Sequence, residues 1–145
     1  MSDIQVTREF PVTPARLFEV ISTKAYLLQW WGHESWTMRD ESLDFTRLGP
    51  WHSAMISEEG NLFAMSGQVT KVEPITVIGI TWGWDAPPEM VSGDGHVTFT
   101  VEEAPKGARL VIDHRDLASD AIAARHQQGW NAPLAQLERL IRTLD

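Results

Sequence analysis

The chain has 145 residues, a length that suits one domain with a sizeable core. Its 12 basic and 20 acidic residues give a net charge of −8 with histidine neutral, without a basic patch, which argues against nucleic acid and anionic membrane as partners. The absence of cysteine excludes disulfides, thiol chemistry and Cys-ligated zinc.

Ile4 to Phe10 alternates between Ile4, Val6, Arg8, Phe10 and Gln5, Thr7, Glu9, the pattern of a strand. Thr13-Pro14 marks a helix start, with Thr13 as cap, and Leu17, Val20 and Ile21 form a short apolar stripe behind it. Thr23 is expected to cap a second short helix through Tyr26, Leu27 and Trp30, stopped by Gly32.

From Ser35 to His114 two-residue alternation punctuated by turns predicts a run of short strands. Trp36 and Met38 share one side. Leu43 to Phe45 is a short apolar piece before a turn at Gly49-Pro50, and Trp51 to Ser57 reads as a strand ending at Glu58-Glu59-Gly60-Asn61. Phe63, Met65, Gly67 and Val69 share a face, and Pro74 breaks the chain. Ile78, Ile80, Trp82 and Trp84 share the next face, and a loop is expected from Asp85 to Gly93. Val97, Phe99 and Val101 are followed by a turn at Pro105-Lys106-Gly107, then by Leu110, Ile112 and His114. Short sequential strands joined by turns predict an antiparallel meander with one face covered.

Ser119 to Leu144 is the one long stretch with sustained helical periodicity. Ile122, His126, Trp130, Leu134, Leu137, Ile141 and Leu144 recur at steps of three or four. A single helix of this length would span roughly 40 Å and cover the sheet alone. Gly129 and Pro133 are irregular in it: Pro133 removes the hydrogen bond to the carbonyl of Gly129, and Gly129 would allow close approach to the sheet. The expected result is a bend that sets the Trp130 indole over the sheet as the roof of a pocket. On that reading Trp130→Ala costs only about 1–2 kcal/mol.

The order of strand, two short helices, meander and long C-terminal helix resembles the helix-grip fold of the START-like (SRPBCC) superfamily. The local motifs resemble the activator of heat-shock-protein ATPase homologue family. They include Arg8-Glu9-Phe10 with Thr13-Pro14-Ala15-Arg16-Leu17-Phe18, then Leu28-Gln29-Trp30-Trp31-Gly32, Glu59-Gly60 and Gly67-Gln68-Val69. Thr81-Trp82-Gly83-Trp84-Asp85 and His126-Gln127-Gln128-Gly129-Trp130 complete the set. Pro50 stands where the family has a second glycine, and Pro133 lies inside the long helix. The resemblance implies an α+β single domain over residues 1–145: a curved antiparallel sheet of about seven strands around the C-terminal helix, enclosing a cavity.

Candidate ligand-binding residues are Trp36, Met38, Phe63, Met65, Trp82 and Trp84 from the strands, with Phe99 and His114 behind them and His126, Trp130 and Leu134 from the helix. Tryptophan and methionine together make an adaptable apolar wall. His114 and His126 both fall on apolar faces, and they are the candidate proton-moving pair should the chain be an enzyme similar to polyketide cyclases and aromatases. No nucleophile motif is present, so no covalent catalytic residue is expected, and no metal or cofactor is expected, because no two histidines stand at ligand spacing on one element. The expected partner is a small apolar or aromatic molecule; the family name also suggests a chaperone partner. No run is apolar enough to span a membrane, and Met1-Ser2-Asp3 does not begin a signal peptide, so the expected location is cytoplasmic. No sequence feature sets an oligomeric state.

Overall fold

The computed structural model describes residues 2–88 and 95–144. The elements run β1 (Ser2–Phe10), α1 (Pro14–Ser22), α2 (Lys24–Trp30), β2 (Thr37–Ser42), β3 (Gly49–Ile56), β4 (Leu62–Glu73), β5 (Val77–Ala86), β6 (Gly95–Ala104), β7 (Gly107–Leu117), α3 (Asp120–Gly129) and α4 (Asn131–Arg142). Seven strands form one sheet in the order β1-β7-β6-β5-β4-β3-β2, every neighbouring pair antiparallel. The meander from β2 to β7 is what short turns between successive strands dictate; β1 returns to pair with the last strand, Ile4 opposite His114.

Period-two patterning puts one face of the sheet in the core. Trp51, Ser53 and Met55 of β3 are buried, as are Ile78, Ile80 and Trp82 of β5, Val97, Phe99 and Val101 of β6, and Leu110, Ile112 and His114 of β7. Leu43 and Phe45 are buried as expected, but in a non-strand segment fixed by the Phe45 amide donating to the Ser22 carbonyl at 2.9 Å. Gly49 and Pro50 are not a free turn; they open β3, pairing with Val69 and Gln68. The loop expected from Asp85 starts later, since β5 runs through Ala86, and its stretch from 89 to 94 lies outside the described residues.

The helices differ from expectation in three ways. Thr13 caps α1 through its side chain, accepting from the Arg16 amide, whereas Thr23 starts α2 without a side-chain cap bond. The cover is shared: Leu17, Val20 and Ile21 of α1 and Leu27 and Trp30 of α2 are buried in the same core as α4. Ser119 to Leu144 is two helices meeting at Trp130. Ser119 caps α3 by accepting from the Ile122 amide at 3.2 Å. Pro133 is the third residue of α4, in the first turn, where amide hydrogens lack partners within the helix anyway. The first bond of the new helix runs from the Leu134 amide to the Trp130 carbonyl at 3.1 Å. Gly129 is exposed, and a Cβ there would meet nothing within 4 Å, so it does not serve a close approach to the sheet. The two helices are unequally anchored: α3 buries Ala123, whereas α4 buries Pro133, Leu134, Leu137, Leu140 and Ile141.

Two other glycines do hold the fold in place. Gly32 ends α2 at φ +85°, and a Cβ there would sit 2.5 Å from the Met55 sulfur. Its carbonyl accepts from the Gln136 side-chain amide at 2.7 Å, tying α2 to α4. Gly67 faces Trp51 across the β3–β4 pair, and the Trp51 indole reaches to β5, donating to the Thr81 carbonyl at 3.0 Å. A Cβ on Gly67 would lie 1.9 Å from that same carbonyl oxygen. Gly67→Ala is therefore expected to destabilise the chain by at least about 2 kcal/mol, since backbone must move to admit the methyl. Gly129→Ala, with open space around it, should instead stabilise by up to about 1 kcal/mol. Urea denaturation of both variants checks the pair, and equal midpoints would contradict this account of the β4–β5 contact.

Candidate ligand-binding cavity

A partly open cavity of about 460 Å³ lies between the sheet and the junction of α3 and α4. Its walls come from four places. The segment after α2 gives Trp31, Gly32, His33 and Trp36; β4 gives Phe63 and Met65; β5 gives Trp82 and Trp84. The helical wall is Ile122, Arg125, His126, Gln128 and Gly129 of α3, then Trp130, Asn131, Ala132 and Pro133. Residues 122, 125, 126 and 129 follow helical spacing, so one stripe of α3 faces the opening.

Aromatic rings set the shape. The Trp82 indole is central: its ring centroid lies 5.2 Å from Trp31, 5.4 Å from Trp130, 5.6 Å from Trp51 and 6.0 Å from Trp84. These are mostly edge-to-face or tilted contacts, which the ring quadrupoles favour over a sandwich. Trp36 and Phe63 stack at 4.2 Å and 10°, with His33 beside Trp36 at 5.7 Å. The His33 Nδ1 accepts from the Ser35 amide at 3.0 Å, which braces this segment.

The two histidines are adjacent, ring centroids 4.5 Å apart. Each accepts from an indole: Trp130 Nε1 donates to His114 Nδ1 at 3.4 Å, and Trp84 Nε1 donates to His126 Nε2 at 3.3 Å. An accepting ring nitrogen carries no proton, so both imidazoles are neutral. Burial, then the neighbouring His126, pushes His114 down to about 3. Burial, then the charge of Arg125, pushes His126 down to about 4. Among the described residues, two buried donors have no partner, Trp82 Nε1 and His114 Nε2. Both flank Gly95: Trp82 pairs with it across β5–β6, and a Cβ there would lie 3.0 Å from His114 Nε2. The missing side chain lets the Trp82 and His114 rings approach to 5.8 Å.

Of the residues selected from the sequence, Trp36, Phe63, Met65, Trp82, Trp84, His126 and Trp130 line the cavity. Met38, Phe99, His114 and Leu134 do not. Phe99 and Leu134 are enclosed in the core, Phe99 packing edge-on against Trp130 at 5.9 Å. His114 is 1% exposed and lies behind the cavity wall, against Trp82, His126 and Trp130. Met38 is half-buried on the edge strand opposite Met55. Trp130 departs from its expected part as well: at 3% exposure it is wall and core together rather than an unpacked roof. Sequence reasoning missed Trp31, Gly32, His33 and most of the helical wall. The i, i+3, i+4 spacing of Ile122, Arg125 and His126 was the available signal. Among the described residues no group of three His, Cys, Asp or Glu is arranged to hold a metal ion. No helix among them is long and apolar enough to cross a membrane.

A protein-family model described as activator of Hsp90 ATPase homolog 1-like protein matches residues 11–142. The chain belongs to this family. The solved AHSA1 protein of Silicibacter pomeroyi is 44% identical, the match covering 97% of this chain and 98% of that one with a TM-score of 0.89. A Rhodobacter sphaeroides protein, 21% identical over 99% of this chain and 95% of its own, superposes with a TM-score of 0.84. DynU16, from the dynemicin biosynthetic locus, is 18% identical over 99% of this chain and 48% of its own, with a TM-score of 0.68. The last two likenesses are of fold alone. No curated protein matches this chain. The family's helix-grip architecture, of START-like type, is the one described above, with the helix of the grip divided at Trp130.

Two outcomes follow from the packing of the family member described here. Trp130→Ala should cost about 3–5 kcal/mol in chemical denaturation, the range for truncating an enclosed aromatic, and a loss near 1 kcal/mol would contradict its place in the core. Stability should also depend on pH through His114. Its folded value lies below the ordinary 6.5, so between about 3 and 6.5 the unfolded chain binds the extra proton. The stabilisation is complete above 6.5 and is lost as pH falls through that window. At pH 5 the loss through this residue is about 2 kcal/mol. Unfolding free energies at pH 7.5 and pH 5 should differ by about that much more in the native chain than in His114→Gln; equal differences would contradict a neutral buried His114.

Proposed function

We propose that the chain binds a small apolar or aromatic molecule in the cavity between the sheet and the α3–α4 junction. The observation that carries this is the unfilled aromatic enclosure around Trp82. Trp31, Trp36, Phe63, Trp84 and Trp130 also present ring surface to a space of about 460 Å³, within the usual range for small-molecule sites. A core that existed only for stability would close such a space, because unfilled volume between large side chains forfeits contacts.

A second reading, an enzyme resembling polyketide cyclases and aromatases, draws support from the His126 ring in the cavity wall. Its basicity weakens that reading. A group held near 4, with its Nε2 already accepting from Trp84, is a poor proton acceptor at neutral pH. His114 faces no substrate space and would act only through His126. The family description names an activator of a heat-shock ATPase; the cavity speaks to ligand binding and not to a chaperone partner.

Titration with the neutral dye N-phenyl-1-naphthylamine, read by fluorescence, tests the binding reading. The native chain and Leu48→Ala, a change at a side chain 65% exposed and outside the lining, should bind alike. Trp84→Ala should bind about tenfold more weakly, the loss of one large aromatic contact, with its circular dichroism unchanged. Absent binding, or equal binding by all three, would remove the proposal.

A further inference from the structure

The polar part of the cavity is one-sided in charge. Among the described lining residues Arg125 is the one arginine or lysine and none is aspartate or glutamate, in a chain whose net charge is −8. Arg125 has no carboxylate within ion-pair distance among the described residues. Arg8, Arg39 and Arg115 likewise have none, whereas Arg16, Arg47, Arg109, Arg139 and Arg142 each have one; of the four without one, Arg125 is the one at the lining. Its neighbours bias the edge further toward donors. The Asn131 side-chain oxygen accepts from the Arg8 guanidinium at 3.3 Å, which orients that amide so that its NH₂ is left as a donor at the lining. Gln128 stands beside them. His126 in the lining and His114 behind it are neutral acceptors for indoles, and the other lining histidine, His33, accepts at Nδ1 from the Ser35 amide.

We propose that the preferred ligand is an aromatic acid, its ring enclosed by Trp31, Trp82 and Trp84 and its anionic group, a carboxylate or sulfonate, paired with Arg125 at the α3 edge. This rests on the binding reading given above and narrows its ligand class. A guanidinium is weakly hydrated and offers a planar fork of donors matched to a carboxylate. An apolar wall behind it excludes water on one side and strengthens the pair, while the exposed side leaves it sensitive to salt. Burial chiefly, and the charge of Arg125 second, depress His126, which agrees with the guanidinium lying close to the cavity wall.

The test compares two competitors of the same shape, 2-naphthoate and 2-naphthamide, displacing N-phenyl-1-naphthylamine from the whole chain. The native protein should prefer the carboxylate by about fivefold at low salt, the scale of one partly exposed ion pair. The preference should shrink in 0.5 M salt. Arg125→Gln should abolish it and Arg125→Glu should reverse it, with unfolding midpoints showing that both variants fold. Equal affinity for acid and amide in the native chain, or a preference that survives Arg125→Gln, would overturn the proposal while the dye still binds. Failure of the dye itself to bind would remove the underlying binding reading, and this inference with it.

Discussion

The position of one indole, Trp82, constrains most of this structure. It stands on β5, the middle strand of the seven-stranded sheet, and meets six aromatic or imidazole rings: Trp31, Trp51, Trp84, His114, His126 and Trp130. Its partner across β5–β6 is Gly95, which has no side chain to compete for the space the ring occupies. The surrounding partners must then arrive from separate parts of the chain. Trp31 comes from the end of α2, turned inward at Gly32; Trp130 comes from the break between α3 and α4. The cluster leaves the Trp82 N–H without a partner, a cost of order 1–3 kcal/mol that the apolar contacts of so many rings offset.

The polar chemistry of the site is subordinate to those rings. Burial holds His114 and His126 neutral, and neutral imidazole is what an indole donor needs as an acceptor. The histidines thereby serve the packing of Trp130 and Trp84, where charged imidazolium would offer only donors. Tryptophan and histidine pair here because the indole can only donate, while a neutral imidazole is flat and keeps one ring nitrogen free to accept.

The sheet was legible in the sequence because strand periodicity reports directly on which face a side chain takes. Ile78, Ile80 and Trp82, or Leu110, Ile112 and His114, are read correctly two by two. Depth is a different quantity. The alternation that placed Phe99 and His114 on the inner face says nothing of how many layers cover them, and both proved to lie behind the cavity wall. The helix was misread for a related reason. His126, Trp130 and Leu134 keep four-residue steps straight through the junction, so the periodicity does not register that two helices meet there. Within one continuous helix Pro133 would be an interior fault; as the third residue of α4 it lies in a first turn, where a missing amide hydrogen costs little. Arg125 shares the cavity-facing stripe of α3 with Ile122 and His126, but a search restricted to apolar periodicity passes over a charged side chain on such a stripe.

The division of the C-terminal segment also sets how its two halves respond to thermal fluctuation. Free energies of local opening follow the apolar area each unit buries, and α3 contributes little beyond Ala123 while α4 contributes a full core face. With Pro133 interrupting the amide ladder, α3 can unwind without disturbing the bonds of α4. Three of the groups that wall the cavity, Ile122, Arg125 and His126, therefore ride on the least cooperative helix of the domain. Its backbone amides should therefore exchange with solvent sooner than those of the sheet, and anything packed against the α3 side of the aromatic enclosure should slow that exchange.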